Sequence, residues 1–357
     1  MIFDWIFQKV SHDLAIDLGT ANTLVAVKGR GIIIREPSLI VRQKKSHQIL
    51  AVGNEAQKML GKTPTNLESV RPLHQGVIAD FDAATAILTT WIKEVHNPGG
   101  VLPQIARPRV IVGIPSGITE VERRAVQEAC KVAGARQVWL VEEPMAAAIG
   151  SGAPVEEPTG VLIIDIGGGT TEIAAISLSG SVVKKSIRHA GHAIDQAIIQ
   201  HVRVNRGLLI GEATAEQVKL KIGTADPDKA QKSSKKEAKT MVVRGRELES
   251  GLPASMVLDQ SEVAEAMAPI INEILVTVQD TIEEVPPELV ADILERGIVL
   301  AGGGALIPKL DQYIAQETKM PVWVAEDPLT CVVRGCLDLH DRPQLLEKVQ
   351  MVSGLVN

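Results

Sequence analysis

The sequence predicts an α/β fold of two duplicated lobes, each carrying a smaller inserted subdomain, with a cleft between them. Three observations carry that expectation. Residues 14–27 read LAIDLGTANTLVAV and residues 162–176 read LIIDIGGGTTEIAAI. In both, an apolar strand reaches an Asp, an apolar residue and a Gly follow, and a small polar turn leads into a second apolar strand. Asp17 matches Asp165 and Gly19 matches Gly167, with one extra residue in the second turn, and such self-similarity marks a duplicated unit. At 357 residues the chain exceeds one simple core and suits two lobes with insertions. Its composition, 45% apolar and 22% charged, supplies enough Ile, Val, Leu and Ala to fill two cores.

The elements follow in order. After the first repeat, segment 29–76 alternates short strands with polar turns and reads as a subdomain inserted in the first lobe. A strand over Arg109–Ile114 is closed by Pro115, Ser116 and Gly117. Thr119 and Glu122 form a capping box for a helix that should stop at Gly134. A strand at 137–141 follows, and Glu142-Glu143-Pro144 opens an Ala-rich helix, with Pro144 at a first-turn position where its missing N–H costs nothing. In the second lobe Ile194, Ala197, Ile198 and Val202 mark one helix, and Thr214 with Gln217 is expected to cap another that ends near Gly223. Residues 224–239, rich in Lys, Asp and Ser, read as a solvated loop. Asp259 with Glu262 opens a helix, Pro286-Pro287 starts the next and Gly297 ends it, and a strand over Ile298–Ala301 runs into Gly302-Gly303-Gly304. The expected division is an N-terminal segment 1–12, a first lobe of 13–146 and 324–357 with its insert at about 29–76, and a second lobe of 147–323 with its insert at about 190–256.

Bulk properties exclude several classes. A formal net charge of −6 and no long basic stripe argue against nucleic acid as a partner. Cys130, Cys331 and Cys336 make an odd count without neighbouring His or further Cys, which speaks against zinc and fits a reducing cytoplasm. No apolar run reaches the roughly 18 residues of a membrane span. The first ten residues differ from the rest: Phe3, Trp5 and Phe7 fall there, in a chain with only three Phe, four Trp and one Tyr. On a helical wheel Ile2, Phe3, Ile6, Phe7 and Val10 share one arc, and Asp4, Gln8, Ser11 and His12 the opposite one. Asp4 stands where a secretory signal would be basic. Segment 1–10, from Met1 to its end at Val10, is then either a terminal helix docked on its own domain or an interfacial helix lying in a membrane surface. One copy would bind weakly, and many copies on one assembly tightly.

The turns carry the chemistry. A phosphate chain needs close backbone N–H donors with little side-chain bulk, and Gly, Thr and Asn provide them. Gly19, Thr20, Ala21 and Asn22 meet that need in the first turn, as do Gly167, Gly168, Gly169, Thr170 and Thr171 in the second. One such turn is also how hairpins bend; two, each after a strand-ending Asp, point to a nucleoside triphosphate held between lobes. Asp17 and Asp165 would either cap their own turns or hold Mg²⁺ through its waters. Gly302, Gly303, Gly304, Ala305 and Leu306 follow another apolar strand, and their small bulk suits a flat base lying on the backbone. Glu216 and Lys219 share a helix face and could equally be a surface ion pair. Glu143, at a helix start, is the best carboxylate to orient an attacking water, with Glu142 as alternative or partner and a mere helix-dipole role as the bland reading. Gly61-Lys62-Thr63 resembles the end of a P-loop, but Ala56 stands where its first Gly must be.

Taken together these residues resemble the actin, sugar-kinase and chaperone-ATPase superfamily and, within it, the MreB family of bacterial actins. The likeness spans nearly the whole chain: IDLGTANTLV (16–25), VIADF (77–81), VERRAV (121–126), EEPMAAAIG (142–150), IDIGGGTTE (164–172), LIGEATAE (209–216), PPELVADI (286–293), LAGGGALI (300–307) and AEDPLTCVVRG (325–335). The resemblance implies the actin-like ATPase (ribonuclease H-like) fold, with ATP and Mg²⁺ in the cleft. It implies that Thr20, Ala21 and Asn22 with Gly168, Gly169 and Thr170 hold phosphates. Glu216, Gln217, Val218 and Lys219, with the turn Gly303–Leu306, would hold ribose and base. Glu143 would position water, completing a catalytic set with Asp17, Asp165 and Thr171. Family members form ATP-dependent filaments, typically paired antiparallel strands, on the inner face of the cytoplasmic membrane, where they work with cell-elongation membrane proteins to guide wall synthesis and rod shape. They insert an amphipathic N-terminus or an apolar loop, and here Val101-Leu102 sits in such a loop. One departure stands out: the family opens the helix near Gly191 with Gly-Gly-Asp, whereas this chain has Ala190-Gly191-His192 and so loses a carboxylate near the cleft. A small-molecule kinase of the same fold is the alternative and would need an acceptor pocket with a base. A chaperone ATPase would be expected to add a substrate-binding domain.

Overall fold

Apolar runs that are buried on both faces dictate the architecture. The computed structural model describes residues 11–96, 106–226 and 239–354. Segment 1–10, Val101-Leu102 and most of the expected loop 224–239 lie outside these residues. In chain order the first lobe carries β1 (Leu14–Leu18), β2 (Asn22–Val27), β3 (Gly31–Pro37), β4 (Ile40–Gln43), β5 (Ile49–Val52), β6 (Leu67–Val70), β7 (Leu73–His74), β8 (Val77–Ile78), β9 (Arg109–Ile114) and β10 (Gln137–Glu142). The second carries β11 (Val161–Ile166), β12 (Thr171–Ser177), β13 (Gly180–Ile187), β14 (Leu208–Leu209), β15 (Thr240–Glu247), β16 (Pro253–Asp259), β17 (Ile298–Ala301) and β18 (Val322–Val324).

The two main sheets share one topology. The first runs β10-β9-β1-β2-β3 and the second β18-β17-β11-β12-β13. In each, the Asp-bearing strand pairs antiparallel with the strand after its turn and parallel with the strand on its other side. The repeat visible in sequence is therefore a repeat of fold, and the chain has the two-lobed actin-like architecture. Between β3 and β9 a three-stranded sheet, β5-β4-β6, is inserted, and between β13 and β17 another, β14-β15-β16.

Three cores hold the lobes. On β1, Leu14 and Ile16 face Ile87, Leu88 and Ile92 of the helix Phe81–His96, while Ala15 faces the opposite way. On β11, Leu162 and Ile164 belong to the second lobe's core and Ile163 to a middle core shared with Ala15 and Ile111. Burying one such Ile or Leu contributes about 1.5–3 kcal/mol, so strands covered on both faces read as unbroken apolar runs. Two helices, Glu143–Gly150 and Cys331–Leu339, fill the middle core. They touch backbone to backbone: a Cβ on Gly150 would strike Cys331 O, and one on Gly335 would strike Ala146 O. The second of these helices brings the chain's last part back beside β1 and β9.

Local signals held where they were self-contained. The capping boxes Thr119/Glu122 and Asp259/Glu262 form, and Gly297 ends the helix Pro287–Arg296 at φ 88°. The helix Glu212–Ile222 instead starts at Gly211, so Thr214 is no cap. Of the expected solvated loop, Thr224 and Ala225 are buried, the Thr224 hydroxyl donating to Pro308 O at 3.2 Å.

Candidate functional site

Each Asp sits one residue before its strand's end, and the chain reverses within a few residues into the next strand, pairing Asp17 with Leu24 and Asp165 with Glu172. The spacing is the same in both, so the extra residue expected in the second turn is absent: Thr171 is already the first residue of the returning strand. The two hairpin tips meet. A Cβ on Gly168 would stand 2.6 Å from Ala21 Cβ, and one on Gly169 would strike the Thr20 hydroxyl. Neither residue, nor Gly167, has a positive φ. Gly168 and Gly169 are thus required for clearance between lobes and not for turn geometry. Thr20 is held from behind, its hydroxyl accepting from Gly76 N–H at 2.9 Å.

Between the tips lies a cavity of about 320 Å³. Gly19, Thr20, Ala21, Asn22, Gly167, Gly168, Gly169 and Thr170 line it, with Asp17, Asp165 and Glu143. At the other end stand Gly302, Gly303, Gly304 and Leu306, together with Glu216 and Lys219. Gly302 needs to be glycine, since φ is 76° and a Cβ would meet the Asp165 carboxylate and Ile166 O. Four expected residues do not line the cavity. Ala305 and Val218 are buried in the second lobe's core and Gln217 faces solvent. Helical spacing explains the last two, because positions 216, 219 and 220 share a face that 217 and 218 leave. Thr171 is fully buried and its hydroxyl donates to His189 O at 2.6 Å.

The two adjacent glutamates separate cleanly. Glu142 is buried and paired with Lys184 Nζ at 2.6 Å, a bond from the second lobe to the first, while Glu143 turns into the cavity. Burial, with the neighbouring charges of Glu172, Asp17 and Asp165, pushes the Glu143 carboxyl well above its usual range. Burial raises Asp17 to about 7. Burial, then the charges of Asp17 and Glu172, raises Asp165 to about 8. These acids share one pocket, and its one lining Lys, Lys219, is engaged elsewhere, with Asp195 Oδ1 at 2.9 Å and Gly191 O at 3.0 Å. Crowded, unpaired carboxylates of this kind fit a hard dication. Among the described residues no three His, Cys, Asp or Glu side chains converge on one point. An ion between Asp17 and Asp165 would accordingly keep most of its waters, as Mg²⁺ does.

Two residues near the cleft, Glu172 and Asp195, went unread in the sequence, and a third, His192, was read only as a departure from the resembling family. Glu172 is buried, and its carboxylate accepts from the Ser116 N–H and hydroxyl across the lobes and from the Ser186 hydroxyl at 2.7 Å. A signal existed: the matching position in the first repeat is Leu24, so a charge stands in an apolar strand. Asp195 pairs with Lys219, and burial raises it to about 6. His192 lines the cavity.

Two repeated sheets with their Asp–Gly turns abutting across a cleft define an actin-like protein. A family model described as "MreB/Mbl protein" matches residues 11–348, and the chain belongs to that family. It is 50% identical over 340 residues to the cell shape-determining protein MreB of Escherichia coli strain K12, covering 92% of this chain and 95% of that protein. To the cell shape-determining protein Mbl of Bacillus subtilis strain 168 it is 42% identical over 338 residues, covering 95% and 98%. Among solved structures, MreB5 of Spiroplasma citri bound to AMPPNP superposes with a TM-score of 0.86 at 36% identity, over 95% of this chain and 98% of that one. The same protein is known bound to ADP, with a TM-score of 0.86. A MamK double helical filament, at 22% identity and TM-score 0.75, shares the fold. The named relatives are cell-shape proteins, which does not favour the small-molecule kinase alternative. Among the described residues no helix is long and apolar enough to cross a membrane.

Proposed function

We propose that this chain is a membrane-associated bacterial actin that binds ATP with Mg²⁺, polymerises, and maintains rod shape by organising cell-wall synthesis. The observation that carries the reading is the pair of turns, residues 19–22 and 167–170, lining one cavity together with Asp17 and Asp165. Nucleotide-bound relatives of the same fold support it.

The residues divide the work. Backbone N–H groups of Thr20, Ala21 and Asn22, with those of Gly168, Gly169 and Thr170, would hold the phosphates as an anion nest. Asp17 and Asp165 would hold Mg²⁺ through water; bound there, the ion neutralises phosphate charge. Glu216 and Lys219, with Gly302, Gly303, Gly304 and Leu306, would hold ribose and base. Glu143 would accept a proton from an attacking water and aim it at the terminal phosphate. Closure of the lobes on the nucleotide would favour the polymer, and hydrolysis would loosen it. The chain's partners would be further copies of itself, in paired antiparallel strands, and cell-elongation membrane proteins. Segment 1–10, with Val101-Leu102 as a further candidate, would supply the contact with the inner face of the cytoplasmic membrane.

Electron microscopy of the purified chain with liposomes should show membrane-bound filaments with ATP and none without nucleotide. Removing residues 1–10 should abolish liposome co-sedimentation and spare nucleotide affinity. Acceptor-dependent ADP production with no polymer would instead favour a kinase. Glu143→Ala should keep ATP affinity while phosphate release slows about a hundredfold, the usual scale of a lost general base; normal turnover would remove Glu143 from the mechanism.

A further inference from the structure

The helix Gly191–Arg206 opens directly on the second turn. Gly191 N–H donates to Gly167 O at 3.1 Å and His192 N–H to Gly168 O at 2.8 Å. These bonds fix the His192 side chain on a wall shared by two spaces: the cavity between the turns and a second of about 430 Å³ at the cleft mouth. Thr20, Ala21, Asn22 and Gly169 border both spaces as well, so His192 stands beside the turns that would hold the phosphates. Its Nε2 is buried and has no hydrogen-bond partner within the protein. Leaving such a nitrogen unbonded costs free energy, which a ligand oxygen at that point would recover. Burial, and then the positive charges of Arg71 and Lys219, push the ring down to about 4, so it stands neutral at pH 7. A neutral ring still offers one N–H and does not repel phosphate oxygens.

We propose that His192 is a specificity residue of the cleft, its ring Nε2–H donating to the terminal phosphate of a bound triphosphate so that triphosphate is preferred over diphosphate. The assignment rests on the nucleotide reading above. Asp195, one turn along the helix, is ion-paired with Lys219 at 2.9 Å.

Calorimetry on the full chain with Mg²⁺ and either AMPPNP or ADP tests it. His192→Ala should weaken AMPPNP about tenfold, the scale of one hydrogen bond to a charged group, with ADP affinity held within about twofold. His192→Asp should weaken AMPPNP further through like-charge repulsion. His192→Gln, whose amide offers a donor at nearly the same reach, should restore most of the preference. Equal weakening of both nucleotides in the Ala and Asp variants, or none in either, would reduce His192 to a structural role and leave the nucleotide reading standing. No uptake of either nucleotide by the wild-type chain would sink both.

Discussion

The two Asp–Gly turns follow one pattern and meet the cleft in opposite ways. The first keeps its side chains: Thr20, Ala21 and Asn22 project from it, and Thr20 is braced by Gly76. The second is stripped to Gly167, Gly168 and Gly169, and into the room so made the first turn fits, Ala21 against Gly168 and Thr20 against Gly169. The strands that follow differ as well. Where β2 places Leu24 opposite its Asp, β12 places Glu172, whose carboxylate ties the lobes through Ser116. A duplicated unit that must close on itself cannot remain symmetric, because two identical bulky tips would collide. One copy became the knob and the other the slot.

That contrast can be broken most forcefully at Gly169. Gly169→Ala would press a methyl on Thr20, and overpacking of this kind costs about 1–3 kcal/mol. If the strain is relieved by opening the cleft, adenine nucleotide affinity should fall roughly ten- to a hundredfold. Adding Thr20→Gly should recover part of the loss, whereas Gly211→Ala, with nothing within 4 Å of its new methyl, should change little. Calorimetry on the three variants decides; an undisturbed Gly169→Ala would mean the tips do not touch.

Next in size is the second hairpin made to look like the first. Glu172→Leu leaves the Ser116 and Ser186 hydroxyls without their acceptor, at about 1–3 kcal/mol, read as a lower midpoint in urea unfolding. An unchanged midpoint would deny Glu172 its part in joining the lobes.

The smallest effect concerns the two aspartates themselves. Their folded-state values, about 7 for Asp17 and about 8 for Asp165, lie above the ordinary carboxylate value, so near neutrality the folded chain holds protons that the unfolded chain has released. Stability of the nucleotide-free, Mg²⁺-free chain should therefore decline as pH rises from about 4 through 8. Asp165→Asn should flatten that decline over its whole span up to about pH 8, and Asp17→Asn only over the part below about pH 7, by a few degrees in thermal midpoint. Mg²⁺ with ADP should stabilise the wild-type chain more at pH 8 than at pH 6. A wild-type midpoint that rises over this range without ligand would contradict the crowding of carboxylates described above.

Much of this was legible in advance because it is local. A strand buried on both faces must be an apolar run, so β1, β9, β11 and β17 stand out. A capping box is closed within four residues, so Thr119/Glu122 and Asp259/Glu262 could be read without knowing what lay around them. Reading failed where a residue's partner lies far away in sequence. Thr214 looked like a cap, yet the helix starts at Gly211 after the short strand β14. Gln217 and Val218 share a motif with Glu216 and Lys219, but one faces solvent and the other the core. Glu143 could be preferred over Glu142 from its place at a helix start, but that Glu142 is taken by Lys184, on a strand of the other lobe, was not legible.

By itself, then, the amino-acid order determined the repeated strand–turn–strand unit, its two aspartates and the glycines beside them, since periodicity and turn chemistry act between neighbours. Tertiary structure alone decided that Glu142 is held by Lys184, that Glu172 joins the lobes, and that His192 is left with an unbonded nitrogen. Those outcomes depend on which surfaces two separately folded sheets bring within bonding distance.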